Sequence, residues 1–206
     1  MPTRTTWASF RLTRPAALGT SGCGAVSSAP RAEAIATSDR AAASAQLGRP
    51  VRGAVGVGHR CVCGLPDVIV TPPRLPDGTP FPTTFYLTCP RASAALSTLE
   101  SEGVMNQMAA DLDEDETLRD AYLEAHRDYL RRRAAVAVEF GVGPVPEIEE
   151  VSAGGMPDRV KCLHALAGHA LAAGPGVNPL GDRALALVAE RGLWVCATPC
   201  VHLESE

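Results

Sequence analysis

Strand-forming sequence is confined to one short region of this chain. Three runs rich in β-branched or aromatic residues lie between residues 53 and 88: "GAVGVGH" (53 to 59), "DVIVT" (67 to 71) and "TTFYLT" (83 to 88). After Pro90 the pattern changes to apolar residues three and four apart, the spacing of helix faces. Strands gathered in one place and followed by helices point to an α+β fold. The expectation is a small antiparallel sheet of about three strands packed against several helices.

The loop "PPRLPDGTPFP" separates the second and third runs; its Asp77-Gly78 is a turn signal, and its prolines prevent regular pairing. If the runs form a meander, the first ends at Cys61, Cys63 lies in the turn to the second, and the third ends at Cys89. All three thiols then reach the same edge of the sheet.

Pro90 suits a first helical position, Leu96 and Leu99 share a face, and Gly103 is a natural stop, with a second piece from near Val104. Acids at 113 to 116 precede a helix on which Leu118, Tyr122, Ala125 and Tyr129 recur, with Arg131 to Arg133 expected near its end as a capping or solvated face. Residues 141 to 157 read as a loop. A helix is expected from about Arg159 to Ala173, and a last one over about 182 to 191. Residues 1–45 read as a disordered or mis-started extension in which about Ala32 to Gln46 could form a modest helix. Residues 46–192 read as a single α+β domain and 193–206 as a C-terminal tail.

Charge is unevenly placed. Residues 1–50 hold six Arg and two acids, leaving 13 of the 19 basic and 21 of the 23 acidic residues in the remainder, a net of −8. Such a surface repels phosphate backbones and disfavours a general nucleic-acid binder. No stretch approaches the roughly 18 consecutive apolar residues of a membrane span. No particular protein partner is indicated.

Seven cysteines is an odd number, and residues 1–22 lack the continuous apolar stretch of a secretory signal. A cytoplasmic chain with reduced thiols is expected, its cysteines serving as buried hydrophobes, metal ligands or nucleophiles. Cys61, Cys63 and Cys89 from the sheet edge, with Cys162, His164 and His169 from the helix beyond the loop, contain the four ligands of a tetrahedral zinc site. Cys61, Cys63, Cys89 and Cys162 would also suit an iron–sulfur cluster, although the nearby imidazoles favour zinc. Seven residues is close to two helical turns, so Cys162 and His169 share a face if the helix is continuous. Cys162 and His164 converge only if the helix is just beginning there.

Other functions are carried by fewer features. Cys162 could be an activated nucleophile, or the metal position could be open, beside Arg74, Arg159, Lys161 and Asn178 that would hold a small anionic substrate. The acidic helix of 111 to 133 could dock a protein. Cys196-x3-Cys200-x-His202 resembles a small chelate, but in a short tail it is expected to be unstructured or packed.

The stretches "CVCGLP", "RLPDGTPFPTTFYLTCP" and "GGMPDRVKCLHALAGHALAAGPGVNPLGD" together resemble the bacterial domain of unknown function family number 501, over about Gln46 to Val188. The resemblance implies that the first 45 or so residues are an extension and that the protein is cytoplasmic and bacterial. It also implies that Cys61, Cys89, Cys162 and His164 lie in the family's characteristic stretches. The family pattern varies at Cys63, which weakens that residue as a ligand. No established activity comes with the resemblance.

Overall fold

A computed structural model describes residues 33–202. The disorder expected of residues 1–32 lies outside the described residues. In chain order the elements are β1 (Glu33–Ala34), α1 (Thr37–Leu47), β2 (Gly56–Arg60), β3 (Pro66–Val70), β4 (Phe85–Leu87), α2 (Pro90–Ser101), α3 (Val104–Glu114), α4 (Glu116–Glu139), α5 (Leu163–Ala173) and α6 (Pro179–Glu190). The strands lie in the order β1-β2-β3-β4 and every neighbouring pair is antiparallel, so the fold is α+β as expected.

The expected meander is β2, β3 and β4. Short β1 is the additional strand, and its reason is ionic. Arg60 at the end of β2 makes a forked contact with Glu33 (2.7 and 2.9 Å) and reaches Asp39 of α1 at 2.7 Å. One guanidinium thus holds the segment before residue 46 onto the sheet, and residues 33–45, drawn into the extension on composition, are folded. Apolar contact adds to it: Ala43, Ala54 and Ile69 form a small buried cluster with Ile35, Val51 and Tyr86.

The other face of the sheet carries the main core. Val68, Val70, Phe85 and Leu87 pack with Leu96, Leu99, Met108, Tyr122, Tyr129, Leu163, Leu166 and Leu180. With few aromatics available, Tyr129 is anchored at its hydroxyl, which accepts from the Thr84 N–H at 2.7 Å and donates to the Pro82 carbonyl at 2.8 Å. Helix α5 is enclosed between the sheet and α6, and glycines set the spacing on both sides. A Cβ at Gly168 would lie 2.8 Å from the Phe85 carbonyl oxygen, and one at Gly181 would lie 2.3 Å from that of Leu166.

Two boundaries differ from expectation. The basic triplet does not end α4, which runs on to Glu139; Arg133 is buried and donates to the carbonyls of Ile148 (2.7 Å), Glu149 (2.9 Å) and Val151, closing the loop against the helix. Helix α5 starts at Leu163, not near Arg159. The chain before it is extended, tied by Lys161 N–H to Gly154 O (2.7 Å) and by the Tyr122 hydroxyl to Arg159 O (3.0 Å). Among the described residues no helix is long and apolar enough to cross a membrane.

Gly181→Ala and Gly168→Ala should each destabilise the protein by about 1–3 kcal/mol or more, because a methyl group there meets backbone. Gly143→Ala, where a Cβ meets nothing within 4 Å and φ is not in the left-handed range, should stay within about 0.5 kcal/mol. Urea midpoints of the three variants check the contrast.

Candidate metal centre

Because α5 begins at Leu163, Cys162 is its N-cap residue, in an extended conformation with φ −157° and ψ 109°. The first backbone donors of a helix lack partners within it. Here the Leu163 N–H donates to Glu100 Oε1 at 2.7 Å, a carboxylate delivered by the last turn of α2. The same oxygen lies 3.2 Å from His164 Nδ1, and Cys162 Sγ lies 3.8 Å from that nitrogen. Glu100, Cys162 and His164 therefore offer an oxygen, a sulfur and a nitrogen all within 4.8 Å of one another.

The far side of the His164 ring is also fixed. Its Nε2 is 3.1 Å from the Ser93 carbonyl and 3.3 Å from the Ser97 hydroxyl. A carbonyl accepts only, so Nε2 carries the proton. Side-chain exposures of 27% for His164 and 23% for Glu100 leave the group open to solvent on one side.

Electrostatics follow from this contact. The His164 hydrogen bond holds the Cys162 thiol below its usual range, against the opposing effect of burial, and the Ala165 N–H of the first turn adds to the lowering. His164 is raised to about 9, first by Cys162 and then, against burial, by the Glu100 carboxylate. The contact thus shifts Cys162 toward the thiolate and His164 toward the charged ring.

The other expected ligands lie elsewhere. Antiparallel pairing does deliver Cys61, Cys63 and Cys89 to one end of the sheet, after β2, in the β2–β3 turn and after β4. Helix α2 then starts at Pro90 and carries Glu100 away by eleven residues from Cys89, roughly 16 Å along its axis. Among the described residues, none of Cys61, Cys63, Cys89 and His169 joins the group of ligand atoms within 4.8 Å of one another at Cys162 and His164. The sheet-end thiols instead meet the C-terminal tail. Burial pushes the Cys61 thiol up, with the thiols of Cys196 and Cys63 adding to the effect. Cys89 is pushed up to about 12, first by burial and further by Cys200 and Cys196.

His169 is fully buried and faces inward from α5, stacking on Phe85 and meeting Tyr129 edge-on. Asn178 Nδ2 donates to its Nδ1 at 3.2 Å, so Nε2–H donates to Asp128 at 3.1 Å. Burial holds His169 below the usual imidazole range although Asp128 pulls the other way. For Asp128, burial is outweighed by the His169 and Arg132 hydrogen bonds, which bring it down to about 2.

The cationic group expected around a substrate is dispersed. Arg74 pairs with Glu147 at 3.1 Å, and Asn178 is buried as the N-cap of α6, accepting from Gly181 N–H. Arg159 and Lys161 are exposed on the irregular segment leading to Cys162. A cavity of about 480 Å³ lined by Arg49, Arg52, Thr71, Phe81 and Tyr86 among others lies on the α1 side of the sheet, apart from Cys162.

Glu100 left no signal in the sequence, since a carboxylate that caps another helix has no fixed spacing from it. Cys196 and Cys200 were visible as a pair, but nothing in the tail's composition indicated that it returns to the sheet.

A family model described as "Protein of unknown function (DUF501)" matches residues 57–186. No curated protein and no solved structure matches the chain.

His169 gives a pH prediction. Its folded-state pKa is depressed, so its contribution to stability is complete above the unfolded value of about 6.5 and is lost as pH falls below it. Wild-type stability should fall from pH 7 toward pH 5 more steeply than that of His169→Gln, by up to about 1.4 kcal/mol per pH unit. Chemical denaturation at several pH values measures the two slopes.

Proposed function

We propose, for a chain that belongs to the DUF501 family of proteins of unknown function, that Glu100, Cys162 and His164 hold a divalent zinc-class ion. One observation carries this reading: Cys162 Sγ and Glu100 Oε1 both face Nδ1 of His164, the nitrogen whose lone pair is free once Nε2–H is committed to Ser93. A ligating histidine commonly has its other nitrogen fixed in this way by a carbonyl or carboxylate. The donor set of thiolate, imidazole and carboxylate is one that zinc accepts.

Three protein ligands with partial exposure fit an open site better than a closed one. An ion so held keeps a position for water or substrate and polarises what binds there. This favours a metal-dependent activity over a purely structural role for this centre. The ion would also join α2 to α5, a helix-to-helix link where the sequence suggested sheet to helix. All six described cysteines are free thiols, the state that a reducing compartment maintains, which supports a cytoplasmic location.

A second reading has its own observation: Cys162 is half-buried, with a lowered pKa and a histidine in reach, as a nucleophile requires. Against it, a base that relays a proton needs the nucleophile and the orienting carboxylate on opposite ring nitrogens, and here both lie on one.

Alkylation separates the two. In metal-free protein Cys162 should react with iodoacetamide faster near pH 7 than Cys61 or Cys89, whose thiols are held protonated. Zinc should slow the Cys162 reaction at least tenfold, and His164→Ala should abolish the protection. Peptide mass spectrometry reads both effects; undiminished reaction at saturating zinc would overturn the metal reading and favour the nucleophile.

A further inference from the structure

The sequence after α6 has no regular secondary structure among its described residues, yet it is held in place by groups that point at sulfur. Trp194 Nε1–H donates to Cys196 Sγ at 2.8 Å, and Gln46 Nε2–H donates to Cys200 Sγ at 3.2 Å. The same Gln46 nitrogen donates to the Pro66 carbonyl at 2.8 Å, so Cys200 sits beside the first residue of β3, next to the turn that carries Cys61 and Cys63. Arg91, two residues after Cys89, donates to the carbonyls of Thr198 (2.8 Å) and Pro199 (3.3 Å). The tail is thereby tied to both chain segments that present thiols at the sheet end.

We infer that Cys61, Cys89, Cys196 and Cys200 form a second metal site, in which their four thiolates hold one zinc ion and fasten the C-terminal tail to the end of the sheet, with Cys63 beside it. Cys61 and Cys196 are buried and Cys89 is almost fully so, while Cys63 and Cys200 are partly exposed and pack against the same core. Cys196 interacts with both Cys61 and Cys89, and Cys200 with Cys89. Backbone N–H groups face the sulfurs at two corners: that of Cys63 toward Cys61, and those of Arg91 and Ala92 toward Cys89. Such donors stabilise a thiolate once its proton has gone.

The sulfurs are more widely spread than the ligands of the other centre, since the group of metal-ligating atoms mutually within 4.8 Å among the described residues is Glu100, Cys162 and His164. Tetrahedral zinc–sulfur bonds of about 2.3 Å put neighbouring sulfurs roughly 3.8 Å apart. Binding therefore draws the tail inward. Each coordinating thiol releases its proton to solvent, and the site is closed by protein ligands, in contrast to the open group at Cys162.

The inference does not rest on the Glu100 centre, and its test removes that centre. Full-length Cys23→Ser/Cys162→Ala protein, kept reduced, is titrated with Co²⁺. A sulfur-to-cobalt charge-transfer band saturating at one ion per chain is expected, together with a change in Trp194 fluorescence and displacement of cobalt by zinc. Adding Cys89→Ser should abolish the band. No band at excess Co²⁺ in the Cys23→Ser/Cys162→Ala protein would overturn the inference, and so would a band undiminished by Cys89→Ser. If Cys89→Ser fails to fold, Cys200→Ser in the exposed tail replaces it, with a loss of at least tenfold in cobalt affinity expected.

Discussion

The N-terminus of α5 is capped by a carboxylate from another helix, and much of the molecule is arranged around that contact. Helix α5 is mostly small and apolar, is enclosed between the sheet and α6, and has no side-chain cap of its own at Cys162. Leaving its first N–H without a partner would cost about 1–3 kcal/mol. Glu100 accepts that N–H, which requires α2 to end where α5 begins and places the carboxylate against the first turn. Cys162 and His164 are then brought to the same point by the change from extended chain to helix. The fold supplies the centre as a consequence of ending one helix and starting another.

Local pattern made much of this visible in the sequence. Alternation and turn residues locate β2, β3 and β4, and antiparallel connection then obliges Cys61, Cys63 and Cys89 to arrive at one end. The recurrence of Leu118, Tyr122, Ala125 and Tyr129 identifies the inward face of α4, which Tyr122, Ala125 and Tyr129 occupy fully buried. The features that were not legible depend on contacts between distant segments. Arg133 lies in a run that resembles a solvated face, and only the returning loop makes it buried. Arg60 holds residues 33–45 to the sheet through Glu33 and Asp39, although the composition of that segment suggests none of this. The seven-residue separation of Cys162 and His169 suggested a common face, but it presupposed a helix already formed at residue 162. With α5 starting at Leu163, Cys162 turns toward Glu100 while His169 points into the core.

The thiols consequently divide into two environments with opposite acid–base character. At the end of the sheet, burial and neighbouring thiols keep Cys61 and Cys89 protonated. At the start of α5, imidazole and helix N–H groups favour the thiolate of Cys162. Groups that the sequence merged into one centre differ in surroundings: a buried, sulfur-rich group where the tail meets the sheet, and a mixed, partly exposed group at the start of α5. Family membership adds no activity to this, so the functional reading rests on the geometry of Glu100, Cys162 and His164.

Anomalous diffraction at the zinc edge, from crystals of the full-length protein grown with zinc, tests that geometry most directly. The account predicts a peak between Glu100, Cys162 and His164, about 2.3 Å from the sulfur and about 2.0 Å from Nδ1. Zinc-saturated crystals with no peak there, and with His164 Nδ1 still directly on Glu100 at the 3.2 Å of the metal-free contact, would contradict it.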